Sequence, residues 1–473
     1  MKTCFSVGKI DVDRLAQMCL GERMGGEPAE LAVTGACTDS READENTLFC
    51  ALRGANVDGH DYIGAAIERG CRVILCEEYR SEIADAHATA IVVKNTEEAL
   101  SNLAKAYSKL LNAKTVAVTG SVGKTTTKDM IASVLSVKHS AFKTKGNFNS
   151  VIGMPLSMLE IPKDCDYSVL EMGMSAFGEI ERLSHTASPD VAVITTIGTS
   201  HMEMLGSREN ICRAKLEILC GLKHGGILML NGDEPLLENV FGKSYTTVYV
   251  STERENADLF AKNIRVEADM TWFDLVYHGE TVSNLAVRVV GRHNVYSAMF
   301  AYAIGRHYGM TNEEIREGLL RFAPEHMRQN IVKLGKITVM EDCYNASPES
   351  MKAAIDVLDA YTKLCGGRSV AFLGDMLELG EERHALHREV GAHLASHRIE
   401  RLITVGKLGA FIGVGAKQNG MSSADIVRFE DASDVEAIGS YLRSFLQEND
   451  VVLFKASRGM RVERFIEYLK NHL

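Results

Sequence analysis

Short aliphatic runs and amphipathic stretches take turns along this chain. Near the N-terminus the strand-like runs are Thr47–Leu52, Arg72–Cys76 and Ala90–Val93, set against helix-like sequence such as Ile63–Arg69. The amphipathic stretch Thr96–Leu111 predicts a helix that closes this first block. A β-branched run, Thr115–Val118, opens a second block, meets a glycine-rich turn at Thr119–Gly123 and gives way to helix-forming sequence from Lys124 to about Val137. Tyr167–Glu171 and Val191–Thr196 read as two more buried strands, each leading through a loop into a helix. Between Lys243 and Arg288 short alternating segments predict a small antiparallel insertion. The helical pattern ends at Pro324, and alternation resumes beyond it. Strands are expected at Ile337–Glu341, Ser369–Leu373, Arg401–Val405 and Val451–Lys455, with helices at Pro348–Leu358 and Glu381–Ser396. This order predicts an α/β protein of parallel sheets covered on both faces by helices. The boundaries fall at 1–112, 113–329 and 330–473: a small N-terminal α/β domain, a central parallel-sheet domain and a C-terminal doubly wound, Rossmann-like domain.

Composition narrows the function. A chain of 473 residues exceeds what one hydrophobic core organises, which agrees with several domains. The net charge of −11 argues against broad nucleic-acid or anionic-membrane binding, since both need a basic surface, and leaves room only for a local phosphate site. The first twenty residues carry Asp11, Asp13 and Arg14 without a long apolar core, so no signal peptide is expected, and no apolar run is long enough to span a bilayer. The eleven scattered cysteines contain no CxxC pair, a pattern of reduced thiols in a cytoplasm.

The clearest chemistry lies at Thr119-Gly120-Ser121-Val122-Gly123-Lys124-Thr125-Thr126. Glycines let backbone amides turn toward an anion, and the helix that follows adds the partial positive charge of its N-terminus. Lys124 would reach the terminal phosphates as a point charge, and the Thr125 hydroxyl would sit on Mg²⁺. The full phosphate-loop pattern has a further glycine where this chain has Val118. The plainer alternative is a glycine-containing turn with a solvated lysine, but the strand–loop–helix context favours a nucleotide.

Three other residues carry less by themselves. Glu171 ends a buried strand beside that loop, where a nucleotide's magnesium is commonly held, and could equally serve the next helix. His201 stands in the loop after Val191–Thr196; a loop histidine is more often a hydrogen-bonding residue than a ligand. Lys215, in the helix expected over Ser207–Leu222, reads alone as a solvated lysine. Their order along the chain carries more.

TGSVGKTTTK, KGNFNSVIGMPL, LEMGMSAFGEI, SHMEMLGSRENICRAKLEI, GRHNVYSAMFAYAIG and DCYNASPESM together resemble the Mur ligases, in that family's order, from Asp39 to Arg458. The resemblance implies three domains that bind a UDP-linked substrate, ATP and an incoming amino component, the central one a P-loop ATPase. It implies ATP-driven amide formation through an acyl phosphate, with two magnesium ions. Carried over, Gly120 to Thr126 cradle the phosphates, with Lys124 and Thr125 on phosphate and metal. Glu171 touches the first ion and His201 the second, and Lys215 matches a lysine that CO₂ converts to a carbamate. Asn294 matches an adenine-side asparagine, Arg328 an arginine reaching the phosphates, and Asp342 an aspartate that meets the nucleotide on domain closure. Thr38, Ser40 and Arg41, with Asp39 and the later Asp58-Gly59-His60, match loops that hold the UDP-sugar; alone they read as an Asp/Ser turn with a surface arginine. Asn147 and Asn149 match a further substrate stretch, and Tyr344 and Asn345 lie in a third-domain signature.

Within the family the resemblance points to the branch that joins D-alanyl-D-alanine to a UDP-N-acetylmuramoyl-tripeptide, because the Asn-Pro-Arg element of the diamino-acid-adding ligases is missing. A cytoplasmic monomer is expected. Ser150 and Thr196 stand where asparagines are common, and Ala456 replaces a glycine in Lys455-Ala456-Ser457-Arg458. Two rivals stay open at this level: a sister amide ligase, including one that adds glutamate to folate, and a nucleotide-binding switch that makes no bond.

Overall fold

The computed structural model describes residues 1–26, 31–54, 56–325 and 327–472. Three sheets appear in chain order. The first has six strands in the order Lys2–Cys4, Gly35–Cys37, Thr47–Cys50, Val73–Cys76, Thr89–Val92 and Glu22–Met24, parallel in its centre and antiparallel at both edges. Its parallel strands are buried on both sides, which is why they read as unbroken apolar runs rather than alternating ones.

The second sheet has nine strands and carries the phosphate loop. Lys114–Thr119 lies between Tyr167–Glu171 and Val191–Ile194, parallel to both. From it the chain goes first to Ala141–Lys143 and Tyr167–Glu171 on one flank, then to Val191–Ile194 and Gly226–Asn231 on the other. Where connections reverse in this way, loops diverge and leave a crevice at the carboxyl ends of the strands. The helices Lys124–Leu135 and Asn294–His307 cover one face through Met130, Ile131, Val134, Met299 and Phe300, all fully buried.

The segment from Lys243 to Arg288 is not a separate insertion. Tyr245–Ser251 continues the parallel run beside Gly226–Asn231, and Leu259–Val266 joins parallel to it; only Thr271–Tyr277 and Glu280–Val287 turn antiparallel. Its alternating pattern arises because this edge of the sheet has one buried and one wetter face.

The third sheet runs Asn330–Leu334, Ile337–Glu341, Val451–Lys455, Ser369–Gly374, Arg401–Val405 and Ile426–Phe429, parallel except at its first edge. Phe372 packs against Phe454 and Phe465 with ring centroids 5.0 and 5.2 Å away. The helix expected to stop at Leu358 continues to Cys365. All eleven cysteines are free thiols, and no helix of the described residues is long and apolar enough to cross a membrane.

Candidate active site

A cavity of about 570 Å³ opens at the carboxyl ends of the central strands, walled on its far side by the third domain. The loop at its base explains why Val118 need not be glycine. Val118 is still inside the strand, fully buried and paired with Glu171 and Val193, and the turn begins only at Gly120. Gly120 has φ +144°, and a Cβ there would fall on the Thr195 hydroxyl. Gly123 has φ +85° and hands the chain into the helix at Lys124. The neighbouring strand end braces the loop: Ser121 N–H donates to the Thr196 carbonyl at 2.9 Å, and the Thr195 hydroxyl donates to the Val122 carbonyl at 2.6 Å. Thr196 thus serves through its backbone, and its departure from asparagine leaves this brace intact.

Lys124 folds over the loop and donates to the Gly120 carbonyl at 2.9 Å. Burial pushes its pKa below the ordinary lysine value; the Glu171 charge opposes this, and Arg328 adds to it. Thr125 Oγ1 donates to Glu171 Oε2 at 2.8 Å, while Asn149 Nδ2 donates to Glu171 Oε1 at 2.7 Å. Asn149 is therefore brought to the carboxylate as well as to the cavity wall, whereas Asn147 is exposed and outside the lining. A hydroxyl and a carboxylate side by side on a cavity wall form a hard-oxygen donor set that suits Mg²⁺.

Lys215 lies on the helix Arg208–Leu216, which ends sooner than expected and continues as a tighter turn through Cys220. Its side chain is 2% exposed, and among the described residues no hydrogen bond or ion pair reaches its ammonium group. Burial, followed by the Lys124 charge, drives its pKa well below the ordinary value. An unpaired ammonium in such a place is several kcal/mol costly, so the neutral amine is the form the fold favours. That is also the form that attacks CO₂, the nitrogen lone pair forming the N–C bond as a proton leaves, and the site fits a carbamate.

The remaining candidates divide in two. His201, Asn294, Arg328, Asp342, Tyr344 and Asn345 all line the same cavity. His201 Nδ1 lies 2.8 Å from Glu378 of the third domain, and Glu203 N–H donates to the Glu378 carbonyl at 3.1 Å. Asn294 donates to Gln329 at 3.0 Å, and the Arg328 guanidinium lies 4.1 Å from the Tyr344 ring centroid. Asp342 pairs with Lys455 at 2.6 Å. Thr38, Ser40 and Arg41 lie apart, in the loop after Gly35–Cys37; Arg41 is largely exposed and paired with Asp39. His60 is buried with both ring nitrogens engaged, by Asp58 at 2.7 Å and the Glu77 N–H at 2.9 Å, so it shapes its loop rather than facing a substrate. Ser150 lines the cavity too and accepts from Gly153 N–H at 3.1 Å.

Four residues beyond the expected set belong to this site. Glu349 accepts from the Thr199 N–H and hydroxyl at 3.0 and 3.1 Å, joining the third domain to the central one. Glu378 and Lys455 are the partners just described. The fourth is Lys128, fully buried one helical turn after Lys124. Its ammonium donates to the Thr144 carbonyl at 2.9 Å and lies 3.4 Å from Asp129, 3.6 Å from Glu325 and 3.8 Å from Glu171. The i, i+4 spacing in KTTTK was its only trace in the sequence. Removing it strands buried carboxylates, so Lys128→Met is expected to destabilise the central domain by about 3–5 kcal/mol. A denaturant midpoint equal to that of the unsubstituted protein would disprove this.

Family models match in chain order: the Mur ligase family catalytic domain over residues 32–108, the Mur ligase middle domain over 118–305 and the Mur ligase glutamate ligase domain over 327–458. A Bacillus subtilis protein named UDP-N-acetylmuramoyl-tripeptide--D-alanyl-D-alanine ligase is 39% identical, over 98% of each chain. The crystal structure of MurF from Acinetobacter baumannii superposes with a TM-score of 0.88 at 29% identity, covering 98% of this chain and 99% of that one. MurF ligase from Thermotoga maritima in complex with ADP gives 0.81 at 29% identity, over 92% and 97%. Likeness of this extent, in sequence and in shape alike, makes the chain a member of the Mur ligase family.

Proposed function

We propose that the chain joins D-alanyl-D-alanine to the terminal carboxylate of UDP-N-acetylmuramoyl-tripeptide, with ATP converted to ADP and phosphate, to make the pentapeptide precursor of peptidoglycan. The observation that carries this reading is 39% identity to the Bacillus subtilis ligase over nearly the full length of both chains, joined to a cavity in which phosphate-loop and third-domain residues face each other. The Thermotoga maritima likeness, solved with ADP, supports ATP as the nucleotide.

A carboxylate is a poor electrophile, and phosphorylation by ATP turns it into an acyl phosphate that an amine can attack. Lys124 and the amides of Gly120 to Thr126 hold the triphosphate, and Arg328 adds positive charge on the same cavity wall. Two magnesium ions, held by Thr125, Glu171, His201 and a carbamate on Lys215, would supply further charge neutralisation for the transferring phosphoryl group. Asn149 and Lys128 keep Glu171 in place. Asn294 marks the adenine side, while Thr38, Ser40, Arg41 and Asn147 hold the UDP-sugar. Tyr344 and Asn345 lie on the side from which the dipeptide amine arrives. Asp342, Glu349 and Glu378 close the third domain over the intermediate, which water would otherwise hydrolyse. This reading assigns 1–112 to the UDP-substrate, 113–329 to ATP and 330–473 to the dipeptide, in a monomer acting in the cytoplasm.

The direct test adds hydroxylamine to enzyme, ATP and UDP-tripeptide without the dipeptide. Acyl hydroxamate should accumulate, and ADP release should rise with D-alanyl-D-alanine but not with single amino acids. Slow ADP release with no hydroxamate would favour the switch instead.

A further inference from the structure

Away from the nucleotide cavity, two helices of the third domain bring together a set of ligand atoms that the ligase reaction does not use. Asp356 lies on the helix Pro348–Cys365; His393 is in the last turn of the helix Arg383–Ala395, and His397 follows one turn later. The helical path continues through this turn, because His397 N–H donates to the Leu394 carbonyl at 3.1 Å. Both histidines aim Nε2 at one atom, Asp356 Oδ1, at 2.6 Å from His393 and 3.1 Å from His397. The two rings lie side by side, tilted by 44°, with centroids 4.5 Å apart.

The tautomer of His397 makes this arrangement informative. Its Nδ1 lies 2.8 Å from the His393 carbonyl, which can only accept, so Nδ1 carries the hydrogen. In the neutral ring Nε2 then presents a lone pair toward a carboxylate oxygen. His393 can donate to Asp356 through the other tautomer, but neutral His397 has nothing left to donate. Lone pair facing lone pair is repulsive unless positive charge lies between. A second ring nitrogen fixed by a backbone carbonyl is also how metal-bound histidines are oriented.

We propose that Asp356, His393 and His397 form a binding site for a divalent transition cation of the zinc, nickel and copper class. Two imidazoles and one carboxylate are borderline ligands that favour these ions over Mg²⁺ or Ca²⁺, which prefer all-oxygen sets. The three ligand atoms already lie within 4.8 Å of one another. Bonds of about 2.0–2.2 Å to each would require only a small outward shift of Asp356, whose side chain is 53% exposed. Water completes the coordination on the open side. A bound ion ties the two helices together where Lys352 and Glu389 already pair across them. The first of these helices carries Glu349, and with it the contact to Thr199, at its other end.

The test uses full-length, chelator-treated enzyme in excess Mg²⁺, titrated with Zn²⁺ and separately with Ni²⁺ by calorimetry. Parallel titrations use His393→Gln, His397→Gln and Asp356→Asn, surface changes that leave ligase activity intact. The unsubstituted enzyme should bind one equivalent that each histidine variant weakens by roughly 10-fold or more. At a Zn²⁺ concentration that just saturates the unsubstituted enzyme, its thermal midpoint should rise and those of the variants should rise less. Absence of transition-metal binding in the unsubstituted enzyme would overturn the proposal, as would equal stoichiometry and affinity in all four proteins. Because the readout is binding, failure here would leave the ligase reading untouched, and failure of the ligase assay would leave this site standing.

Discussion

Lys124→Met is expected to lower kcat by about 10³-fold while leaving the protein folded. The estimate follows from charge and distance. A unit charge about 4 Å from a unit of developing charge, at an effective dielectric near 20, contributes about 4 kcal/mol. Each 1.36 kcal/mol is about a factor of ten in rate. Lys124 can supply that charge because it stands on the cavity wall, anchored among the described residues only to the Gly120 carbonyl, so a terminal phosphate can take over its hydrogen bond. Methionine keeps the length and removes the charge. The control is Ser121→Ala on the same loop. Ser121 reaches Thr196 through its backbone N–H, which alanine retains, so its activity should stay within about tenfold of the unsubstituted enzyme. Steady-state ADP release measures both. If Lys124→Met turned over as fast as Ser121→Ala, the lysine would have no part in phosphoryl transfer.

The contrast between these neighbours shows what a sequence discloses. The phosphate loop was legible because its demands are local: two glycines with positive φ, a strand before and a helix after. The buried parallel strands were legible because burial on both faces leaves unbroken aliphatic runs such as Val116–Val118 and Val191–Ile194. The edge of the central sheet was misread for the opposite reason. Leu259–Val266 has one face wetter than the other, so it alternates like an antiparallel strand although it joins Tyr245–Ser251 in parallel. Pairing direction is a tertiary fact that alternation does not encode.

Contacts across domains left still less trace. The signature DCYNASPESM contains Glu349 but does not say what that carboxylate touches, and the contacts to Thr199 and His201 join partners separated by 150 positions in the first case. Lys128 sits in helix-forming sequence that does not single it out; its complete burial among Asp129, Glu171 and Glu325 identifies it as a brace. Asn149 is expected to face substrate, and its side chain, on the cavity wall, also donates to Glu171. In each case residue type and spacing were visible, and the direction of the side chain was not.

Lys215 poses the same problem in its sharpest form, and its test separates structure from chemistry. Replacing it by methionine should move stability and activity in opposite directions. The lysine brings a desolvated amine into the fold with no hydrogen-bond or ion-pair partner among the described residues, so an apolar side chain of similar volume should be neutral to stabilising, by up to about 1–4 kcal/mol. The pH dependence has a definite sign. Between the depressed folded value and the ordinary lysine value of 10.5, the unfolded chain holds a proton that the folded chain has released, so stability rises with pH across that interval. Lys215→Met should flatten that slope. Activity, by contrast, should fall by about 10²-fold or more, the usual effect of removing one preorganised electrostatic group from a phosphoryl-transfer site. Lys215→Ala should fall as far but respond to added formate or acetate, because the shortened side chain leaves room for a small carboxylate to replace the missing carbamate. A lysine with a purely structural role would lose stability and activity together and gain nothing from acetate; full turnover in untreated Lys215→Ala would remove the carbamate from the reaction altogether.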